Sequence, residues 1–285
     1  MLQCAKENEH CMFQAASNFN GVECISDRST PDEPCFATNY IYDHTQGPAA
    51  SIGAGAAALA RIHAAFYSAR RAARDWGQTI GHQVEMLANV REHFTVRNGY
   101  VCNSKSAPEL PRDPAVLRAL EDEVRVLVHL HVEAMFGCYS LHTLEETRPR
   151  TISQTFCAAM NVAQGASGYQ NAQQPDAREK ARLLLRAAYR GTLLAAELDR
   201  CPRVYLTLIG GGVFGNSFDD IVAAIRTAHT ELFAAARFVQ EVHVVFYRAP
   251  EIELLERAME GYTLPWKTYS YQGCRPIVTA VYNTK

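Results

Sequence analysis

The chain has 285 residues, 48% of them hydrophobic and 20% charged, which is enough apolar material for one large globular domain or two small ones and too much for a disordered chain. A net charge of −2 excludes a global basic footprint, so the balance is against a nucleic-acid partner unless a local patch holds it. No apolar run approaches the roughly 20 residues that span a bilayer, Met1 to His10 lacks the apolar centre of a signal peptide, and the nine cysteines are scattered without the close pairs of zinc knuckles. These features predict a cytoplasmic protein with free thiols, no membrane partner, no metal and no cofactor.

Taken in order, Met12 to Ser17 reads as a buried strand that opens into the polar turn Asn18-Phe19-Asn20-Gly21. The stretch to Gly47, which contains Thr30-Pro31 and Glu33-Pro34, is a loop. Gly47-Pro48 predicts a helix start near Pro48, and Ala49 to Arg74 is rich in strong helix formers. Small residues crowd its first turns, allowing close approach to a sheet or ligand, whereas Arg61, Arg70, Arg71 and Arg74 read as a solvated face. Asn98-Gly99 predicts a two-residue hairpin. After the linker Pro108 to Pro114 and a short helix or turn at Ala115 to Glu121, alternation sets in. Val124, Val126, Val128, Leu130 and Val132 fall on one face, with Arg125, His129 and His131 largely on the other, as in a half-buried antiparallel strand. His129 and His131 have the spacing of a metal-ligand pair or of two surface histidines, and no third ligand is suggested.

Thr151 to Ala163 predicts another central strand, ending at Asn161. Asp176 with Glu179 has the form of a capping box, and the helix it opens carries the stripe Leu184, Ala187, Ala188, Gly191, Leu194, Ala195 and Leu198. Next, the β-branched run Val204 to Ile209 breaks into Gly210-Gly211-Gly212-Val213-Phe214-Gly215-Asn216, and helical spacing resumes with Phe218, Ile221, Val222 and Ile225. Backbone N–H groups of such a loop, backed by the positive end of a helix, form a phosphate cradle. Glu241 to Tyr247 is a further strand and Glu251 to Glu260 a short helix. Strand, helix and strand in succession predict a parallel crossover, and hence an α/β fold, a three-layer α/β/α sandwich with a mixed, mostly parallel central sheet. The residues are assigned to a single domain over 1–285, with 76–150 an insertion that carries the hairpin and an added strand.

Read literally, Gly210 to Gly215 matches the dinucleotide fingerprint, but that fingerprint belongs to a first strand and wants an acid about 20 positions on. Here the loop comes late, and Glu251 is the first acid beyond the next strand. No Lys-Ser or Lys-Thr follows, so nicotinamide, flavin and Walker-type chemistry are all disfavoured.

GGGVFGN after an apolar strand, together with FQAASNFN and QGPAASIGAGAA, resembles the macro-domain superfamily, the ADP-ribose-binding fold. SNFNGVE, DHTQGPA, SQTFCAAMNVA and LTLIGGGVFGN resemble more specifically a branch of uncharacterised macro-like proteins. The resemblance implies a nucleotide or ADP-ribose-like small-molecule partner. Asn18 and Asn20 would lie near the distal ribose, Gln46, Gly47, Pro48, Ala49 and Ala50 would form a first phosphate loop, and Gly211, Gly212, Val213, Phe214, Gly215 and Asn216 a second, with Phe214 beside the ribose. The chain departs from the family in three ways, one being that the first loop lacks the usual glycine-rich sequence and has Pro48 in its middle. Only 11 residues precede Met12, where macro domains place a strand with an adenine-reading acid, and Gln46 lacks the adjacent glutamates of the family's glycohydrolases. For catalysis, Asn18 and Asn20 would orient the substrate toward a positioned water, with Asp43 as base or as a brace for its loop, and Cys157 reads as inert core rather than nucleophile. Binding with or without hydrolysis is the first expectation. The alternative is a non-enzymatic interaction protein, oligomeric or not, that keeps the fold and presents 76–150 to a partner.

Overall fold

The computed structural model describes residues 2–32, 46–134, 150–164, 168–246, 250–260, 266–270 and 278–283; Asp43 lies outside them. Its strands are β1 Met12–Ala16, β2 Val96–Arg97, β3 Tyr100–Val101, β4 Leu127–Glu133, β5 Thr151–Cys157, β6 Arg203–Thr207, β7 Glu241–Phe246, β8 Trp266–Ser270 and β9 Val278–Asn283. The principal helices are α1 Gln46–Ile52, α2 Gly55–His63, α3 Pro114–Glu123, α4 Ala177–Leu198, α5 Phe218–Ala235 and α6 Pro250–Ala258.

Seven strands form one sheet in the order β4-β5-β1-β6-β7-β9-β8. The central neighbours β5, β1, β6 and β7 are mutually parallel, and β4, β9 and β8 extend the two edges antiparallel. Strand periodicity sends alternate β1 side chains to opposite layers. On one side Gln14 Nε2 donates to Thr192 Oγ1 of α4 at 2.8 Å, within a core that α4, α5 and α6 complete through Leu185, Ile221 and Leu255. On the other, Ala15 and Phe156 meet Phe19 of the turn after β1 and Met86 and Phe94 of the segment that carries the hairpin. The outcome is the three-layer α/β/α architecture expected from the sequence, with helices on both faces of a mixed sheet.

Three local expectations need correction. The helix predicted over Ala49–Arg74 is two short helices, α1 and α2, broken at Gly53-Ala54 and ending at His63. Arg61 is not on a solvated face: it is 2% exposed, its guanidinium carbon lies 3.6 Å from the Phe156 ring centroid, and it donates to the Gly21 carbonyl and to Ser51 Oγ. A desolvated cation over an aromatic face contributes on the order of 2 kcal/mol, and these bonds join α1, α2 and the turn after β1. In β4, a bulge between His129 and Val132 puts His131 at φ 51, where its Nε2 pairs with Asp199 Oδ1 at 3.0 Å, while His129 turns edge-on to Phe156.

Of the stripe predicted on α4, Leu184, Ala187 and Ala188 are buried as expected, but its later leucines are not. Leu194 is 45% and Leu198 84% exposed, while Leu185, Tyr189, Leu193 and Ala196 are buried, because this helix packs against both the sheet and α5. Asp176 makes no cap; its Oδ2 instead accepts from Leu110 N at 2.7 Å. The Asn98-Gly99 hairpin forms as expected, with φ of 46° and 81° at the two turn residues.

Candidate functional site

Because β1, β5 and β6 are parallel, their carboxyl ends share one edge of the sheet, the usual place for a ligand crevice in such folds. The segments that leave them are joined there. Ser17 N donates to Cys157 O at 2.8 Å, Val162 N to Phe214 O at 2.9 Å, and Asn216 Nδ2 to Met160 O at 3.0 Å. The hairpin closes on the same edge, with Phe19 N donating to Gly99 O at 2.8 Å. The start of α1 arrives there too: a methyl group at Gly47 would lie 2.3 Å from Ala16 O and 1.8 Å from Glu23 Oε1. Asn18, Asn20, Gly47 and the loop Gly211–Asn216, separated in sequence, thus meet around one edge. Gln46 to Ala50 form the first turn of α1 rather than an open loop.

The glycine loop is built from its base upward. Tyr189 OH donates to Thr207 O at 2.7 Å and accepts from Ile209 N at 3.0 Å, which fixes the point where β6 stops. Gly210 takes φ 72°, a conformation that costs an L-residue about 1–2 kcal/mol, and Asn216 N closes back onto Gly210 O at 3.0 Å. Gly211 N and Gly215 N bond within the loop, to Leu208 O and Gly212 O. The N–H groups of Gly212, Val213 and Phe214 have no hydrogen-bond partner among the described residues. Gly212 and Val213 are exposed, and a Cβ at Gly212 would meet nothing within 4 Å. Three successive amides at this tip are thus left to solvent or to a ligand. At the base, Asn216 is 7% exposed, and its Oδ1 is buried with no partner among the described residues.

The amino-terminal end of α5 follows the loop directly. Ser217 Oγ caps it by accepting from Asp220 N at 3.2 Å, and Asp220 stands in the first turn with its carboxylate on Arg178 and Arg182. Burial would raise the Asp220 pKa, but hydrogen bonds from Arg178, Arg182 and Ser217 outweigh it and bring the carboxyl down to about 2. A pKa depressed from 3.8 stabilises the fold fully above the unfolded value, and that contribution is lost as pH falls through 4 toward 2. Asp220→Asn should cost on the order of 2 kcal/mol at neutral pH and flatten the loss of stability between pH 4 and 2, as read by urea unfolding across that range.

The two asparagines brace the turn after β1. Asn20 is 1% exposed; its Nδ2 donates to Gln83 Oε1 at 2.9 Å and its Oδ1 accepts from Val22 N at 3.1 Å. Asn18 Nδ2 donates to Cys24 O at 3.2 Å. Gln83 Nε2 continues to Asn98 Oδ1, so one chain of amides ties the β1 turn to the hairpin. Phe214 packs against Val22, Ile62 and Tyr100, its ring centroid 5.9 Å from that of Tyr100. Glu23, which is not conspicuous in the sequence, packs its carboxylate at the start of α1; the one signal for it is its place as the first acid after β1, within SNFNGVE. Burial pushes the Cys157 thiol up to about 12, so it stays protonated, and burial likewise lowers His229 to about 4. Among the described residues no group of three or more His, Cys, Asp or Glu side chains is placed to hold a metal, and no helix is long and apolar enough to cross a membrane.

No protein-family model matches the chain, and no curated protein matches it. It is similar to solved structures. A poly(ADP-ribose) glycohydrolase from Thermomonospora curvata is 15% identical, with 88% of this chain and 68% of that one covered and a TM-score of 0.44. A macrodomain mutant from Oceanobacillus iheyensis with ADPR is 18% identical, over 39% of this chain and 52% of that one, with a TM-score of 0.30. The poly(ADP-ribose) glycohydrolase of Deinococcus radiodurans in complex with ADP-ribose is 17% identical, over 48% and 52%, with a TM-score of 0.32. The chain spans about half the length of the last two.

Proposed function

We propose that the carboxyl-edge crevice binds ADP-ribose or a related nucleotide diphosphate, with one phosphate on the amides of Gly212, Val213 and Phe214. The observation that carries this is the run of three unpaired N–H groups on a glycine tip with open space above it. Backbone amides bind an anion without a cationic side chain. The buried, unpartnered Oδ1 of Asn216 beneath the loop is a second polar group in want of a partner, and such groups cost about 1–3 kcal/mol each when left unmet. In this proposal Gln46, Gly47, Pro48, Ala49 and Ala50 border the facing side, Asn18 and Asn20 shape the rim, and Gly211, Gly215 and Asn216 hold the tip in place.

The proposal is for binding. Hydrolysis would need a base as well, for which Asp43 and Glu23 are the carboxylates nearest in sequence to the rim segments. A thermal-shift screen tests the binding. ADP-ribose at about 100 times its Kd should stabilise the fold by about 2.7 kcal/mol, which for a chain of this size raises Tm by roughly 5–10 °C. Absence of any shift with ADP-ribose, ADP, NAD and phosphosugars sinks the proposal and leaves the non-enzymatic interaction protein.

A further inference from the structure

A second feature lies beside the crevice and is not absorbed by it. Between α2 and the hairpin the chain makes a compact excursion, and its hydrogen bonds hold it in one shape. Phe66 N donates to Trp76 O at 2.7 Å, Arg71 N to Ser68 O at 3.0 Å, and the Trp76 ring N–H to Arg71 O at 3.2 Å. Its aromatic rings are ordered against one another. Tyr67 meets Trp76 edge-on with centroids 4.7 Å apart, and Phe66 stacks on His82 at 3.8 Å. Tyr67 nevertheless remains 63% exposed, an unusual position for a large ring.

The same excursion concentrates positive charge. Ser68 to Trp76 holds Arg70, Arg71 and Arg74 against the single acid Asp75, a net of +2 in a chain of net −2. All three arginines are exposed, and Arg74 makes only a 3.6 Å ion pair with Asp75 while its side chain is 87% exposed. Arg70 and Arg71 have no ion pair among the described residues. The excursion adjoins the crevice through Gln78, whose Nε2 donates to Asn20 O at 3.0 Å and to Arg61 O at 3.1 Å.

We propose that this surface binds single-stranded nucleic acid, with phosphates on Arg70, Arg71 and Arg74 and a base stacked on Tyr67 beside Trp76. The charge complementarity is local, which is the condition that the neutral total charge imposes. Every base has a π-face, so an exposed aromatic ring in the same short excursion as three exposed arginines engages a strand without reading its sequence. A lipid surface fits less well, because the excursion has no amphipathic helix and, besides Tyr67, its exposed large apolar side chain is Ile80 at the separate Thr79–His82 turn. The inference is independent of what the crevice binds.

The test is fluorescence anisotropy of a labelled oligothymidylate and a mixed-sequence RNA of the same length, titrated with the full chain at several salt concentrations. Three phosphate contacts predict that log affinity falls with log salt at a slope of about −2. Replacing Arg70, Arg71 and Arg74 together by alanine should lower affinity at least ten-fold and bring the slope close to zero, and Tyr67→Ala should lower affinity about five-fold with the slope retained. All four side chains are exposed, and the salt series on the unmodified chain tests the electrostatic half without any substitution. Three outcomes overturn the proposal: no binding of either oligonucleotide at 50 mM salt, binding that survives the triple replacement, or co-sedimentation with anionic phosphatidylserine vesicles in place of oligonucleotide binding.

Discussion

Gly212→Leu should abolish the thermal shift given by ADP-ribose while leaving the melting temperature of the ligand-free protein within a degree or two. The two halves of that expectation have separate causes. A Cβ at Gly212 meets no protein atom within 4 Å, and no positive φ constrains the position, so the fold has nothing to resist the substitution. The leucine would instead occupy the space above the free amides of Gly212, Val213 and Phe214, where the phosphate is proposed to sit. Losing those contacts should weaken binding by about 100-fold, or roughly 2.7 kcal/mol. A Gly212→Leu chain that melts normally and still shifts with ADP-ribose places the ligand elsewhere.

Gly210→Ala, two residues away, should behave in the opposite way. At φ 72° an alanine is strained, and its Cβ would lie 2.6 Å from both Ala159 Cβ and Asn216 Nδ2. Left-handed backbone costs about 1–2 kcal/mol and a tight-core overlap about 1–3 kcal/mol. The sum, about 3 kcal/mol, lowers Tm by roughly 6–12 °C for a chain of this size. Differential scanning calorimetry of the two variants side by side separates the conformational glycine from the open one. Equal melting temperatures would contradict the loop geometry at Gly210 and Gly212.

That contrast also marks what the sequence makes legible. Features with a local cause are readable from it: Asn98-Gly99 needs two positive φ values, the apolar run ending at Ile209 must stop where three glycines begin, and strand, helix and strand oblige a parallel crossover. What escapes is set by contacts from distant segments. Arg61 lies in an alanine-rich stretch that looks solvated, and only the approach of Phe156 and the Gly21 carbonyl makes a buried cation favourable there. Leu194 and Leu198 share the helical period with the buried residues of α4, and the packing of α5 selects a different face.

At the site the division is the same. The glycine loop is evident in the sequence; which of its amides stay free is not, because Leu208, Gly210 and Gly212 carbonyls consume the others. The partners of Asp220 in the first turn of the helix behind it are not legible either, because Arg178 and Arg182 reach it from α4. Asn18 and Asn20 stand at the strand end as their motif implies, but their amides already serve Cys24, Val22 and Gln83. Strands β8 and β9 were not foreseen, since Trp266–Ser270 and Val278–Asn283 carry no turn chemistry as distinctive as the hairpin's.

The central claim is that three consecutive backbone amides receive a phosphate. Amide NMR of nitrogen-labelled protein during titration with ADP-ribose tests it residue by residue. The account predicts that the Gly212, Val213 and Phe214 resonances move together and saturate on one binding curve, while Gly211 and Gly215, already bonded within the loop, move less. A titration in which ADP-ribose binds with those three amides unmoved, or in which no resonance moves at all, would contradict it.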